Sequence, residues 1–167
     1  MFFKFCDAYA RFLSFLIMVL GVMLLFAVGM QVAGRYVWFI PLYLWPQEMT
    51  NFALIWSIFI GSILGVRDGK HFMVDVFGIG GRTVNPKLNY ALRVLYYVTL
   101  AAMTFVFIYY GWQFFVKWGL IQESEITGIS LGWQYFSVPF AGVSWLLFMI
   151  EGIIKEFFMT STSEGRA

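Results

Sequence analysis

FLSFLIMVLGVMLLFAVGMQVAG, residues 12–34, runs from Phe12 to Gly34 without a single charge, and its length decides the fold class. A transmembrane helix needs about 20 predominantly apolar residues. The apolar part of a cleaved signal peptide spans only about 7 to 15, so this stretch is expected to stay as an anchor. Three further uncharged intervals follow: Met49 to Val66 after Glu48, Val94 to Val116 after Arg93, and Ile126 to Ile150 after Glu125. Each is long enough to cross a bilayer, the second by taking Trp45-Pro46-Gln47-Glu48 as its first turn, with Pro46 where a missing N–H does no harm. Composition agrees: 61% of the 167 residues are hydrophobic and 12% charged, against about 25% charged in a soluble domain.

The expected fold is an all-α integral membrane protein with four transmembrane helices, near residues 12–34, 45–66, 86–117 and 131–157. They form one domain over residues 1–159, followed by a polar, disordered tail, TSTSEGRA, at 160–167. Asn85-Pro86 reads as an N-cap with proline at the first helical position. A helix from Pro86 to Lys117 would be about 48 Å long, more than the roughly 30 Å hydrocarbon core, which predicts tilt or protrusion. Pro139 predicts a kink in the fourth span or a helix that begins shortly before it.

Basic residues sort unequally between the two sides of this arrangement. Lys4, Arg11, Arg67, Lys70, Arg82, Lys87, Arg93, Lys155 and Arg166 fall on one side, and only Arg35 and Lys117 on the other. The positive-inside rule then places both termini in the cytoplasm. Tyr36, Trp38, Tyr43, Trp45, Trp118 and Trp133 fall toward the outer side, as an aromatic belt would, together with Glu123 and Glu125. A net charge of +2 gives no reason to expect a nucleic-acid partner.

Residues 65–75, GVRDGKHFMVD, concentrate charge and the only histidine at the exit of the second helix. Arg67 and Lys70 complement the negative end of its dipole. If helical geometry continues, Arg67, His71 and Asp75 share one face and Phe72, Val76 and Phe77 the other, which describes a short interfacial amphipathic segment. Gly69 equally suits a turn after Val66. The stretch is either an orientation anchor or a surface for a partner or lipid headgroups.

The chemistry of an enzyme is missing. No ionisable side chain lies within the four uncharged intervals, and there is no G-x-S-x-G, H-E-x-x-H or phosphate loop. Gly78-Ile79-Gly80-Gly81 reads as a connector. The single cysteine, Cys6, allows no internal disulfide and reads as a small apolar residue near the membrane surface. No cofactor is expected in this chain. What the spans carry is packing information: Ser57, Gly61 and Gly65 form a small-xxx-small stripe, with a weaker one at Gly29 and Ala33. Asn51, Ser57 and Gln113 are candidates for interhelical hydrogen bonds, and Glu48 for a structural cap at its helix N-terminus.

Trp45-Pro46-Gln47-Glu48, Gly61, Arg67-Asp68-Gly69-Lys70-His71 and Asp75, in that order, resemble the signature of the small membrane subunit of tripartite ATP-independent periplasmic (TRAP) transporters, the DctQ-like family. Ser124, Gly128-Ile129 and Pro139 also fit. Two positions depart from the pattern: Gln47 stands where a second acid is frequent, and Ser130 where a proline would stiffen the start of the fourth helix. The resemblance implies a non-catalytic scaffold in the bacterial inner membrane, bound to a large multi-span subunit and surrounded by membrane lipids. That large subunit would move a carboxylate solute with sodium, delivered by a periplasmic substrate-binding protein, with the small subunit enlarging the fixed part of an elevator. Substrate and sodium sites would lie in the large subunit. Trp45, Glu48, Arg67, His71 and Asp75 are then candidate partner or lipid contacts, and Glu123 and Glu125 candidate contacts to the binding protein. A sialic-acid system is the nearest likeness. The alternative from a different class is a membrane anchor of a redox complex holding lipid or quinone.

Overall fold

In the computed structural model, residues 2–38, 41, 43–68, 86–124 and 126–164 are described. The expected interfacial segment with His71 and Asp75, the Asn85 cap, Glu125 and residues 165–167 lie outside them. The described residues are all-α, and four of the helices among them are long and apolar enough to cross a membrane. Helix α1 is Phe2–Tyr36, α2 Trp45–Arg67 and α3 Pro86–Phe114, which continues into a π-helical turn, Phe115–Gly119. A short α4, Gly132–Tyr135, precedes α5, Ser137–Glu164.

Two of these bounds differ from expectation. Helix α1 begins at Phe2, before the uncharged interval, because Cys6, Ala10 and Leu13 sit at helical spacing and are buried. The apolar stripe therefore starts in the polar-flanked segment. Helix α5 runs on to Glu164, so residues 160–164 extend the helix instead of forming a disordered tail. Elsewhere proline sets the boundaries. Pro46 lies in the first turn of α2, and α3 starts at Pro86, positions where no intrahelical donor is lost. The fourth span is broken at Phe136, and Pro139 falls in the first turn of α5.

Helix α1 packs along α2, α2 along α5, and α5 along α3, while α1 barely reaches α5. The helices thus stand in a row, α1–α2–α5–α3, and not as the closed ring of a four-helix bundle. The core threads between them: Leu13 and Leu20 of α1, Ala53, Ile60 and Ile63 of α2, Leu100 of α3, and Ala141, Trp145 and Phe148 of α5. Tyr9 joins Ser144 through a 2.7 Å hydroxyl–hydroxyl hydrogen bond, tying α1 to α5. The outer faces remain apolar and open, with Phe12, Phe15, Val22 and Leu25 exposed on α1 and Leu95, Val98, Phe105 and Trp112 on α3. Apolar surface on this scale suits hydrocarbon and not water.

Among the long helices, α3 and α5 leave no space for a Cβ at two glycines. A Cβ on Gly142 would stand 2.8 Å from Ile108 Cγ1 and 3.1 Å from Ile108 N, and one on Gly111 would stand 2.9 Å from Val138 Cγ1. Glycine at both positions lets the two backbones approach.

Candidate functional site

The polar side chains gather at the two ends of the row. At the end carrying the N-terminus, Arg67, the last residue of α2, forms an ion pair with Asp7 of α1. Its Nε also lies 3.8 Å from Oε2 of Glu151 on α5. Lys155, one turn further along α5, places Nζ 2.6 Å from Glu151 Oε1. The Arg67 guanidinium stands 5.7 Å from the centre of the Phe148 ring, a cation–π separation. Glu151 is only 2% exposed, and the fully buried Cys6 lies beside its carboxylate. A cavity of about 120 Å³ adjoins the cluster, lined by Arg67, Tyr96, Tyr97, Glu151 and Lys155 among others. Arg67 therefore joins three helices by pairing with Asp7 of α1 and Glu151 of α5, and the buried Glu151 carboxylate is shared between two cations, an arrangement whose cost of desolvation is offset only while both signs are present.

Sequence reasoning missed Glu151 because it lies one residue beyond the fourth uncharged interval. Two signals point to it: the i,i+4 spacing to Lys155, and a proline at 139 that puts the start of the helix late, so that it must continue past residue 150 to cross the bilayer. Cys6, read from the sequence as a small apolar residue near the membrane surface, is fully buried in α1.

At the opposite end, Glu48 does not cap its own helix; its carboxylate accepts a hydrogen bond from the Thr127 hydroxyl, in the connection between the π turn and α4. Trp56 Nε1 donates to the Trp133 carbonyl at 3.1 Å, and Gln31 Nε2 donates to Thr50 Oγ1 at 3.0 Å. The connection itself is folded. Glu123 and Ser130 form an isolated antiparallel bridge, Gly128 holds a positive φ of 68°, and the Ser124 hydroxyl accepts from the amides of Ile126 and Thr127. Ser130, where a proline was the family expectation, donates its hydroxyl to the Gly119 carbonyl and accepts from the Gly132 amide. The start of the fourth span is thus tied by hydrogen bonds, not left loose.

The expected residues divide accordingly. Trp45 and Glu48 share the aromatic end, Arg67 sits in the ion cluster, and Glu123 is exposed in the folded connection. Of the small-residue stripe, Gly61 faces α1, where an added Cβ would stand 3.5 Å from Ile17 Cδ1. This is ordinary van der Waals spacing within the chain, and Gly65 is half-buried. Asn51, Ser57 and Gln113 were expected to bridge helices, but make no side-chain hydrogen bond among the described residues. The Ser57 hydroxyl is buried without a partner, and Gln31 with Thr50 and Tyr9 with Ser144 supply the bridges instead. No cluster of metal-ligating side chains is found among the described residues.

The sequence from residue 24 to residue 159 matches the profile described as tripartite ATP-independent periplasmic transporters, DctQ component. The chain belongs to the DctQ family. Comparison with individually curated proteins gave no match. The family match spans all of α2 and α3, the folded connection, most of α5, and the last third or so of α1. A DctQ-family chain is a membrane component of a tripartite transporter, which agrees with the four apolar helices. The redox-anchor alternative gains no support from this match.

Proposed function

We propose that this DctQ-family chain is the non-catalytic small subunit of a sodium-coupled importer of carboxylate solutes, with sialic acid the first solute to try. In this reading it sits in the bacterial inner membrane with both termini cytoplasmic. A periplasmic substrate-binding protein delivers the solute. A large multi-span partner carries the substrate and sodium sites, and this chain enlarges the part of that partner that stays fixed during an elevator movement. The observation that carries the reading is the use to which polar groups are put. Arg67 ties α2 to Asp7 of α1 and to Glu151 of α5, and Glu48 ties α2 to Thr127 of the folded connection, in each case at an end of the row. The middles of the spans offer wide apolar faces and no ionised group to coordinate a solute or an ion. Intramembrane ionisable groups ordinarily mark a transport pathway; here they join helices to one another at the membrane surface. Such a layer is suited to holding a partner.

The test is isolation of the tagged chain from its native membrane in a gentle detergent, with mass spectrometry of what remains bound. The expected result is a stoichiometric large multi-span protein. Sodium-driven solute uptake by proteoliposomes containing this chain alone would overturn the reading.

A further inference from the structure

At the aromatic end a cavity of about 430 Å³ opens between α1, α2 and the connection that leads to α5, within the roughly 300–1,000 Å³ of small-molecule sites. Its apolar walls include Met23, Met49, Phe52 and Leu131, and Trp45 and Trp133 also line it. Glu48 supplies the one carboxylate among the lining residues, and no basic side chain lines the cavity. The Glu48 Oε2 atom accepts from Thr127; among the described residues no lysine or arginine pairs with this carboxylate. An apolar chamber beside the lipid-facing side of α1, with one uncompensated anion and two indole rings, has a definite complement: a long hydrocarbon chain joined to a cation.

We propose that this cavity is a lipid site that takes one acyl chain of an aminophospholipid and pairs the lipid's ammonium group with Glu48. The acyl chain meets the methionine and phenylalanine walls, where burial of apolar surface drives occupancy. The ammonium meets the Glu48 carboxylate in a charge-assisted hydrogen bond, with aromatic faces available for a cation–π contribution. A lipid carrying net negative charge and no amine would bring its phosphate toward a carboxylate with no cation to compensate it. The proposal requires only that the helices cross a membrane, and it stands apart from the transport role.

The test uses the full chain, together with whatever subunit stays bound, exposed to mixed micelles with equal amounts of phosphatidylethanolamine and phosphatidylglycerol and examined by native mass spectrometry. The phosphatidylethanolamine adduct should exceed the phosphatidylglycerol adduct by about tenfold, the ratio that one charge-assisted hydrogen bond supports. Glu48→Gln keeps the size and an acceptor for Thr127, and should bring that ratio toward one. Met49→Trp fills the cavity and should remove both adducts, reading the chamber independently of the charge. Equal retention of both lipids by the unaltered protein, an unchanged ratio in Glu48→Gln, or adducts that survive Met49→Trp would overturn the proposal. So would a photo-crosslinker at position 49 that attaches to a polypeptide in place of a lipid.

Discussion

Glu151 has two cationic neighbours of unequal exposure, and that inequality decides which substitution matters. The Arg67 and Lys155 side chains are 24% and 46% exposed, whereas that of Glu151 is 3% exposed. Removing the carboxylate leaves cations that already reach solvent and, for Arg67, still have Asp7. Removing both cations leaves a buried anion with nothing opposite it, which costs about 3–5 kcal/mol. The Arg67→Ala, Lys155→Ala double variant should therefore lose about that much stability in thermal unfolding in detergent. Adding Glu151→Leu should recover most of the loss, since an apolar residue of similar volume tolerates the site. A triple variant no more stable than the double would show that the loss comes from the missing arginine and lysine stems, not from the stranded charge. Arg67 was legible in the sequence as part of the GVRDGKHFMVD stretch. Its partners Asp7 and Glu151 were not, because they are 60 and 84 positions away and only the packing of α1 antiparallel and α5 parallel to α2 brings them together.

Among the helices, the glycine pattern that the sequence displays most openly is not where the packing is tightest. Ser57, Gly61 and Gly65 recur every fourth residue, yet at Gly61 a methyl group would meet Ile17 at an ordinary 3.5 Å. Gly111 and Gly142 belong to no repeating motif, and each sits where the facing helix leaves no space for a Cβ. Gly61→Ala should be neutral or stabilising by up to about 1 kcal/mol, because alanine removes the entropic cost of glycine in a helix. Gly142→Ala must instead push against the Ile108 side chain and its backbone nitrogen, 2.8 and 3.1 Å away, and should cost about 1–3 kcal/mol as overpacking. Thermal melts of the two variants followed by helical circular dichroism separate them. Equal melting temperatures would mean that α3 and α5 can slide apart at no cost. The stripe was readable because periodicity is local, whereas the crossing point depends on what the partner helix presents.

For the whole molecule, the number of spans was legible because bilayer thickness fixes the length of an apolar run. Their order in the row was not. A helix that faces lipid on one side and protein on the other is apolar all round, so the sequence carries no stripe to say which faces meet. The α1–α2–α5–α3 arrangement instead rests on long-range ties such as Tyr9 to Ser144 and Trp56 to Trp133. Orientation is a separate matter, set by charge and not by packing. Four antiparallel spans bring the two termini to one end of the row, the end that also carries Lys4, Arg11, Arg67 and Lys155. Because lysine and arginine near span ends are retained on the cytoplasmic side, a green fluorescent protein fused to either terminus should fold and fluoresce. Alkaline phosphatase fused at the same points should stay inactive, and phosphatase inserted in the connection after Ile121 should be active. Phosphatase activity at either terminus would reverse the assigned orientation. It would also place the Glu48 cavity on the cytoplasmic side of the membrane and the Glu151 cluster on the periplasmic side, without altering a single contact within the row.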